Sequence, residues 1–271
     1  MLEQPDHERL LSFSWSLGFD IRLTDLLEDW KRMSNPLHEG HHTDIMATKP
    51  LPPRPAPRIY LATPVVADPA QLVSELPALL AAADVAAVLL RLAPGDERSI
   101  IQRAKALAPV VQKADAALLI DQHFAQVARA GADGANVSGI EAMQEAMPSL
   151  KPDRILGVGG LVTRHDAMVA GEAGADYVLF GEPDTKGERP SADAICERLD
   201  WWAELFEPPC VGFATTFEEA ELFAAAGADF VLLGDFIWQD SRGAKTALIE
   251  AGKAVTRGFE KSIAQAAATG E

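Results

Sequence analysis

The chain has 271 residues, 48% of them hydrophobic, and a formal net charge of −16. That length suits one α/β barrel of about 250 residues, and no apolar run approaches the roughly 18 residues needed to span a bilayer. The acidic balance argues against nucleic-acid or acidic-membrane partners, and it requires any anionic substrate to be held by backbone amides, a few local cations or a metal ion.

Residues 1–57 read as an N-terminal extension and residues 58–271 as one barrel domain. The start, Met1-Leu2-Glu3-Gln4-Pro5-Asp6, is acidic and unlike a secretory signal. Ser16–Met33 places Leu17, Ile21, Leu23, Leu26, Leu27 and Trp30 near helical spacing, which predicts one short amphipathic helix. His38-Glu39-Gly40-His41-His42 reads as a solvated linker, with a metal site as the alternative, and the Pro-rich stretch Lys49–Pro57 reads as extended chain. The first 45 residues are either an appendage or an upstream extension of the reading frame.

From Arg58 onward, short apolar runs alternate with amphipathic ones. Strands are predicted at Ile59–Thr63, Val85–Leu92, Ala116–Ile120, Gly134–Ser138, Ile155–Val158, Tyr177–Gly181, Cys210–Ala214 and Phe230–Gly234. Helices are predicted at Pro69–Ala83, Glu97–Lys113, Gln122–Ala130, Ile140–Met147, Arg164–Ala173, Ala192–Phe206, Phe217–Ala226 and Ala244–Ala267. The strands are apolar on both faces, as a parallel sheet covered by helices requires. Eight strands and eight helices give an α/β fold, a (β/α)8 TIM barrel; the alternative is a doubly wound open sheet, for which no Gly-rich fingerprint follows the first strand. The helices end three times in one phrase, at Ala130–Gly134, Ala173–Tyr177 and Ala226–Phe230. In each copy the Gly suits a left-handed C′ position, and the Asp is expected to bond local backbone in the turn. Cys196 and Cys210 fall on different elements and read as reduced thiols of a cytoplasmic protein; no zinc-type spacing occurs.

In such a barrel the chemistry lies at the C-terminal strand ends. Arg91 closes the second strand, and its guanidinium fork suits phosphate or carboxylate, with a rim salt bridge as the alternative. Asp121 follows the third strand and Glu141 stands one strand further on, so the pair could share a hard ion such as Mg2+. The bland alternatives are a helix N-cap for Asp121 and a dipole-complementing acid for Glu141. Asn136 and Ser138 end the fourth strand and Gly159 follows the fifth. Lys186 sits in a long loop after the sixth, where a flexible cation can close on pyrophosphate. Gly212 and Gly234, on strands seven and eight, permit close approach of a phosphate. His123 and His165 read as surface or capping groups, and Trp201-Trp202 as packing.

From about Arg58 to Gly258 the chain resembles thiamine phosphate synthase and its close relatives, the thiazole tautomerase-like proteins. The phrases that carry the resemblance are Arg58-Ile59-Tyr60-Leu61-Ala62-Thr63, Val88-Leu89-Leu90-Arg91, Leu118-Leu119-Ile120-Asp121, Gly131-Ala132-Asp133-Gly134, Ile155-Leu156-Gly157-Val158, and Gly174–Gly181 with Lys186 following. The resemblance implies a Mg2+-dependent transferase that joins a pyrimidine methyl pyrophosphate to a thiazole phosphate through a pyrimidine-stabilised carbocation. It implies that Arg91 and Lys186 hold pyrophosphate, that Asp121 ligates Mg2+ with Glu141 where the family has a second aspartate, and that Gly212 and Gly234 lie near the thiazole phosphate. Asn136, Ser138 and Gly159 take substrate-contacting places. The chain departs from the family pattern at Leu89 and Ala93, where a Gln and a Lys are usual, and at Gly159, where a Ser is usual. A thiazole tautomerase-like isomerase and a non-catalytic barrel binding a phosphorylated ligand stay open, as does a homo-oligomer.

Overall fold

The computed structural model describes residues 54–269, Thr185 apart. The expected helix at Ser16–Met33, the histidine-rich stretch and most of the Pro-rich linker lie outside the described residues. Eight parallel strands, β1 (Arg58–Ala62), β2 (Val85–Leu90), β3 (Ala117–Asp121), β4 (Gly134–Ser138), β5 (Ile155–Gly159), β6 (Tyr177–Phe180), β7 (Cys210–Ala214) and β8 (Phe230–Leu233), close into a barrel in chain order. The helices between and after them are α1 (Ala70–Leu80), α2 (Glu97–Gln112), α3 (Val127–Ala130), α4 (Gly139–Leu150), α5 (Arg164–Ala173), α6 (Ala192–Leu205), α7 (Phe217–Ala225) and α8 (Ala244–Thr269).

Alternation along each strand divides the core into two shells. Leu61, Val88, Leu90, Leu118 and Ile120 face outward and pack with helix residues such as Leu76, Leu107, Leu199 and Trp202. Tyr60, Leu89, Leu119, Ile155, Tyr177 and Leu232 face inward and fill the barrel. The strands therefore look apolar throughout because both faces are buried.

The repeated phrase has a structural reason that reaches beyond its own turn. Gly131, Gly174 and Gly227 all take left-handed backbone, with φ of 71°, 100° and 98°. The Asp of each copy then bonds the first residues of the preceding strand, not the local turn. Asp133 Oδ2 accepts from the Leu118 N–H at 2.8 Å, Asp176 Oδ2 from Leu156 at 2.8 Å, and Asp229 Oδ2 from Cys210 at 2.8 Å. The backbone N–H of each Asp returns a bond to the carbonyl of the same residue, at 2.9 Å in all three copies. Each copy thus stitches the start of one strand to the next, at the end of the barrel away from the chemistry. Asp176 is also paired with Lys151. Asp176→Ala is expected to lower the unfolding free energy by about 2–3 kcal/mol, read from urea midpoints at unchanged slope, because a buried strand N–H loses a charged acceptor.

The helix expected over Gln122–Ala130 is the main local correction. Gln122 has φ 61°, and the segment becomes a 3-10 turn over Phe124–Gln126 followed by the short α3. A left-handed non-Gly residue cannot begin a helix, so Asp121 is the last residue of β3 and not an N-cap.

Candidate active site

The floor of the C-terminal mouth is polar and fully buried. Asn136 on β4 has no exposed surface, and its Oδ1 accepts from the Tyr177 hydroxyl at 3.1 Å. That hydroxyl lies 3.1 Å from the Tyr60 hydroxyl. Burial pushes both phenol pKa values upward; the neighbouring phenol adds to the shift at Tyr60 and opposes it at Tyr177, and the pair stays neutral. Asn136 Nδ2 has no hydrogen bond of normal geometry among the described residues, yet it lies close enough to Asp121 to favour that carboxylate's charge.

Asp121 forms one wall above this floor. Burial pushes its carboxyl above the usual carboxylate range, against the bond from Gln122, the nearby Asn136 amide and the charges of Arg91 and His123. Strain sits at the same point: Gln122 is held left-handed by its N–H bond to the Asn136 carbonyl at 2.8 Å, and its Nε2 lies 3.3 Å from Asp121 Oδ1.

A second wall, two strands along from β3, comes from a stripe on β5. Ile155, Gly157 and Gly159 alternate toward the barrel interior, and the two glycines leave space there. The Tyr177 ring fills the space at Gly157, where a Cβ would fall 1.9 Å from the ring. The Glu182 carboxylate fills the space at Gly159, where a Cβ would fall 1.7 Å from Oε2. Oε2 accepts from the Gly160 N–H at 3.0 Å. Burial raises the Glu182 pKa to about 7; the Gly160 bond opposes the shift and the charge of Asp121 adds to it. Ser138 completes this wall, its Oγ 2.1 Å from where a Gly160 Cβ would lie.

The raised Glu182 pKa has a sign that can be measured. The unfolded chain ionises this group near its ordinary value of 4.5, whereas the fold holds the proton until about pH 7. Stability should therefore fall as pH rises across that interval. In metal-free buffer, Glu182→Gln is expected to stabilise the fold by about 1–2 kcal/mol near pH 8 and by much less near pH 4, read from denaturant unfolding.

Cations occupy the remaining rim. Arg91 is half-buried, donates through Nε to the Thr63 carbonyl, and pairs with Asp235 at the end of β8. Its backbone N–H donates to Thr63 Oγ1 at 3.1 Å, tying β1 to β2. The loop after β6 is anchored twice. Asp184 Oδ1 accepts from the Lys186 and Glu188 N–H groups at 2.8 and 2.9 Å, and Arg189 donates to the Gly181 and Phe213 carbonyls and pairs with Glu219 at 2.7 Å. Lys186 is exposed on this loop, and its ammonium forms no ion pair among the described residues.

The structure thus brings Arg91, Asp121, Ser138, Gly159 and the Lys186 loop to one end of the barrel. Asn136 lies beneath the mouth instead of on its wall. Glu141 is exposed in the first turn of α4, and the acid on which the charge of Asp121 acts is Glu182. Gly234 sits on the inner side, its missing Cβ 3.0 Å from the Phe213 ring. Gly212 faces outward, where a Cβ would crowd Phe223 at 3.0 Å and Leu199 at 3.1 Å, so it serves strand–helix packing. The residues without an assigned role in the sequence were Glu182, Asp235 and Arg189. Glu182 and Asp235 stand directly at strand exits, the same signal that singled out Asp121. Arg189 gave no such signal, because its bonds depend on loop geometry. A surface groove of about 670 Å3 beside Ile59, Asp84 and Lys253 lies at the opposite end, away from these groups.

Among the described residues no helix is long and apolar enough to cross a membrane. The fold is shared with a thiamine phosphate pyrophosphorylase from Pyrococcus furiosus, at a TM-score of 0.60 and 19% identity, covering 74% of this chain and 96% of that one. In sequence the chain is 39% identical over 196 residues to a thiamine-phosphate synthase of Rhodospirillum centenum, covering 71% of this chain and 95% of that protein. It is 34% identical over 205 residues to one of Hyphomonas neptunium, covering 72% and 92%. The family described as thiamine monophosphate synthase matches residues 59–237, from β1 through the turn after β8, and the chain belongs to that family of transferases.

Proposed function

We propose that this enzyme joins a pyrimidine methyl pyrophosphate to a thiazole phosphate and releases pyrophosphate. The observation that carries this reading is the assembly of Arg91, Asp121 and the Lys186 loop at one strand-end mouth, in a chain 39% identical to a thiamine-phosphate synthase. In the proposed reaction the bond from the pyrimidine methylene carbon to the pyrophosphate oxygen breaks, and its electron pair leaves with pyrophosphate. The thiazole nitrogen then gives its lone pair to that carbon, and no proton has to move. Catalysis consists of holding the leaving group and balancing charge.

Arg91 is placed to receive the pyrophosphate. Asp235 holds its guanidinium at the rim, and a phosphate oxygen would take the place of Asp235 as its partner. Lys186 brings a second positive charge on a loop whose two ends are pinned by Asp184 and Arg189. Ser138 and Gly159 line the pyrimidine side, with Asn136 positioning Asp121 from below. Gly234 and the backbone ends of β7 and β8, with Gly212 behind them, take the thiazole phosphate.

Mg2+ belongs to this proposal, and the residues fit it. Among the described residues no cluster of three or more His, Cys, Asp or Glu forms a closed cage. That suits an ion bound through one or two carboxylates plus substrate phosphates, with waters retained. Asp121 would hold it, with Glu141 as the second acid. When bound, the ion offsets the charge gathering on the departing pyrophosphate. We place the reaction in the cytoplasm, where Cys196 and Cys210, both free in the structure, stay reduced.

The test is direct. The purified chain, given both phosphorylated precursors and Mg2+, is expected to form thiamine phosphate and pyrophosphate in equal amounts. Ligand binding without product would overturn the transferase reading and leave a binding barrel.

A further inference from the structure

Among the described residues, Glu182 is a carboxylate standing inside the mouth without a balancing partner. Asp235 is neutralised by Arg91, and Asp121 lies within reach of the charges of Arg91 and His123. Glu182 forms no ion pair among the described residues, and the charge of Asp121 acts on it repulsively. One oxygen, Oε2, is held by the Gly160 N–H. The other, Oε1, has no hydrogen bond among the described residues.

The local sequence builds this arrangement. Gly159 is an inward-facing position of β5, and any side chain there would occupy the volume of the Glu182 carboxylate. The carboxylate therefore stands inside the mouth, one layer above the Tyr177 ring. Gly181, at φ 96°, turns the chain so that the residue after it can lean back over β5. Holding an unpaired carboxylate in a desolvated wall costs stability, and such costs are retained where a site needs the charge.

We propose that Glu182 is a catalytic residue whose free oxygen accepts from the amino group of the pyrimidine substrate and whose charge stabilises the pyrimidine methyl cation formed as pyrophosphate leaves. This rests on the transferase reading above. A cation that exists only after the carbon–oxygen bond breaks is the missing counter-charge for this wall, and an anion fixed beforehand stabilises it more than it stabilises the neutral ring. Asp121 and the substrate phosphates already supply the oxygens a Mg2+ ion takes, so Glu182 is assigned to the organic cation.

The experiment compares the full-length wild type with Glu182→Gln and Glu182→Ala across Mg2+ concentrations at pH 8, where Glu182 is ionised. Glu182→Gln keeps the size and an acceptor for Gly160 but removes the charge. Its kcat is expected to fall by about 10²-fold, with KM for the thiazole phosphate and the half-saturating Mg2+ concentration unchanged. A kcat within twofold of wild type overturns the proposal. Recovery of the lost rate at high Mg2+ also overturns it, because Glu182 would then be a metal ligand. Wild-type turnover tests the transferase reading separately. If the wild type makes no product, calorimetric binding of the pyrimidine methyl pyrophosphate still decides: at least fivefold weaker binding by folded Glu182→Ala supports the contact, and equal binding overturns it.

Discussion

Replacing Asp121 by Asn is expected to lower turnover by about 10²–10³-fold without unfolding the protein. The variant has the same shape, and Gln122 can still donate to a side-chain carbonyl at that position. What disappears is the charge. Burial already raises the Asp121 pKa, so the fold gains nothing from ionising this group. Unfolding midpoints should therefore hold or rise while the rate collapses, and the residual rate should respond weakly to Mg2+. The measurement is product formation across a Mg2+ series beside a denaturation curve. Wild-type rates in Asp121→Asn would remove Asp121 from the chemistry and, with it, the metal assignment.

Gly157→Ala should have the largest effect on the fold. The added Cβ would fall 1.9 Å from Tyr177 Cζ and 2.2 Å from its hydroxyl oxygen, in the centre of the barrel. The ring cannot move aside without breaking its bonds to Asn136 and Tyr60, each at 3.1 Å, and leaving buried polar atoms unpaired. Overpacking together with one lost buried bond costs about 3–5 kcal/mol. Urea unfolding of Gly157→Ala, Tyr177→Leu and the double variant separates the causes. The double variant should be much less destabilised than the sum of the two, because Leu removes the ring that the new methyl meets. Additive losses, or a Gly157→Ala midpoint equal to wild type, would show that the ring and the glycine do not depend on each other.

Eight β/α units were readable along the chain because a strand buried on both faces is apolar throughout, and a helix over a sheet shows a periodic apolar stripe. The boundaries of β4, β7 and α5 agree with the periodicity to the residue. The segment after β3 does not, since the left-handed Gln122 is held by a bond to Asn136 on the neighbouring strand. Local propensity carries no trace of such a partner. The aspartates of the repeated phrase show the same division. Their presence was visible, but their acceptor role crosses to another strand start.

The eight-unit barrel and the strand-exit positions of Arg91 and Asp121 were legible along the chain, since each follows from residue type and period within one segment. Which charges meet was not legible there and came from the folded arrangement. Asp235 pairs with Arg91, the charge of Asp121 acts on Glu182, and Gly212 turns toward the helices while Gly234 turns inward. Those pairings depend on distances between side chains on different strands, and on which face of the closed sheet each residue presents.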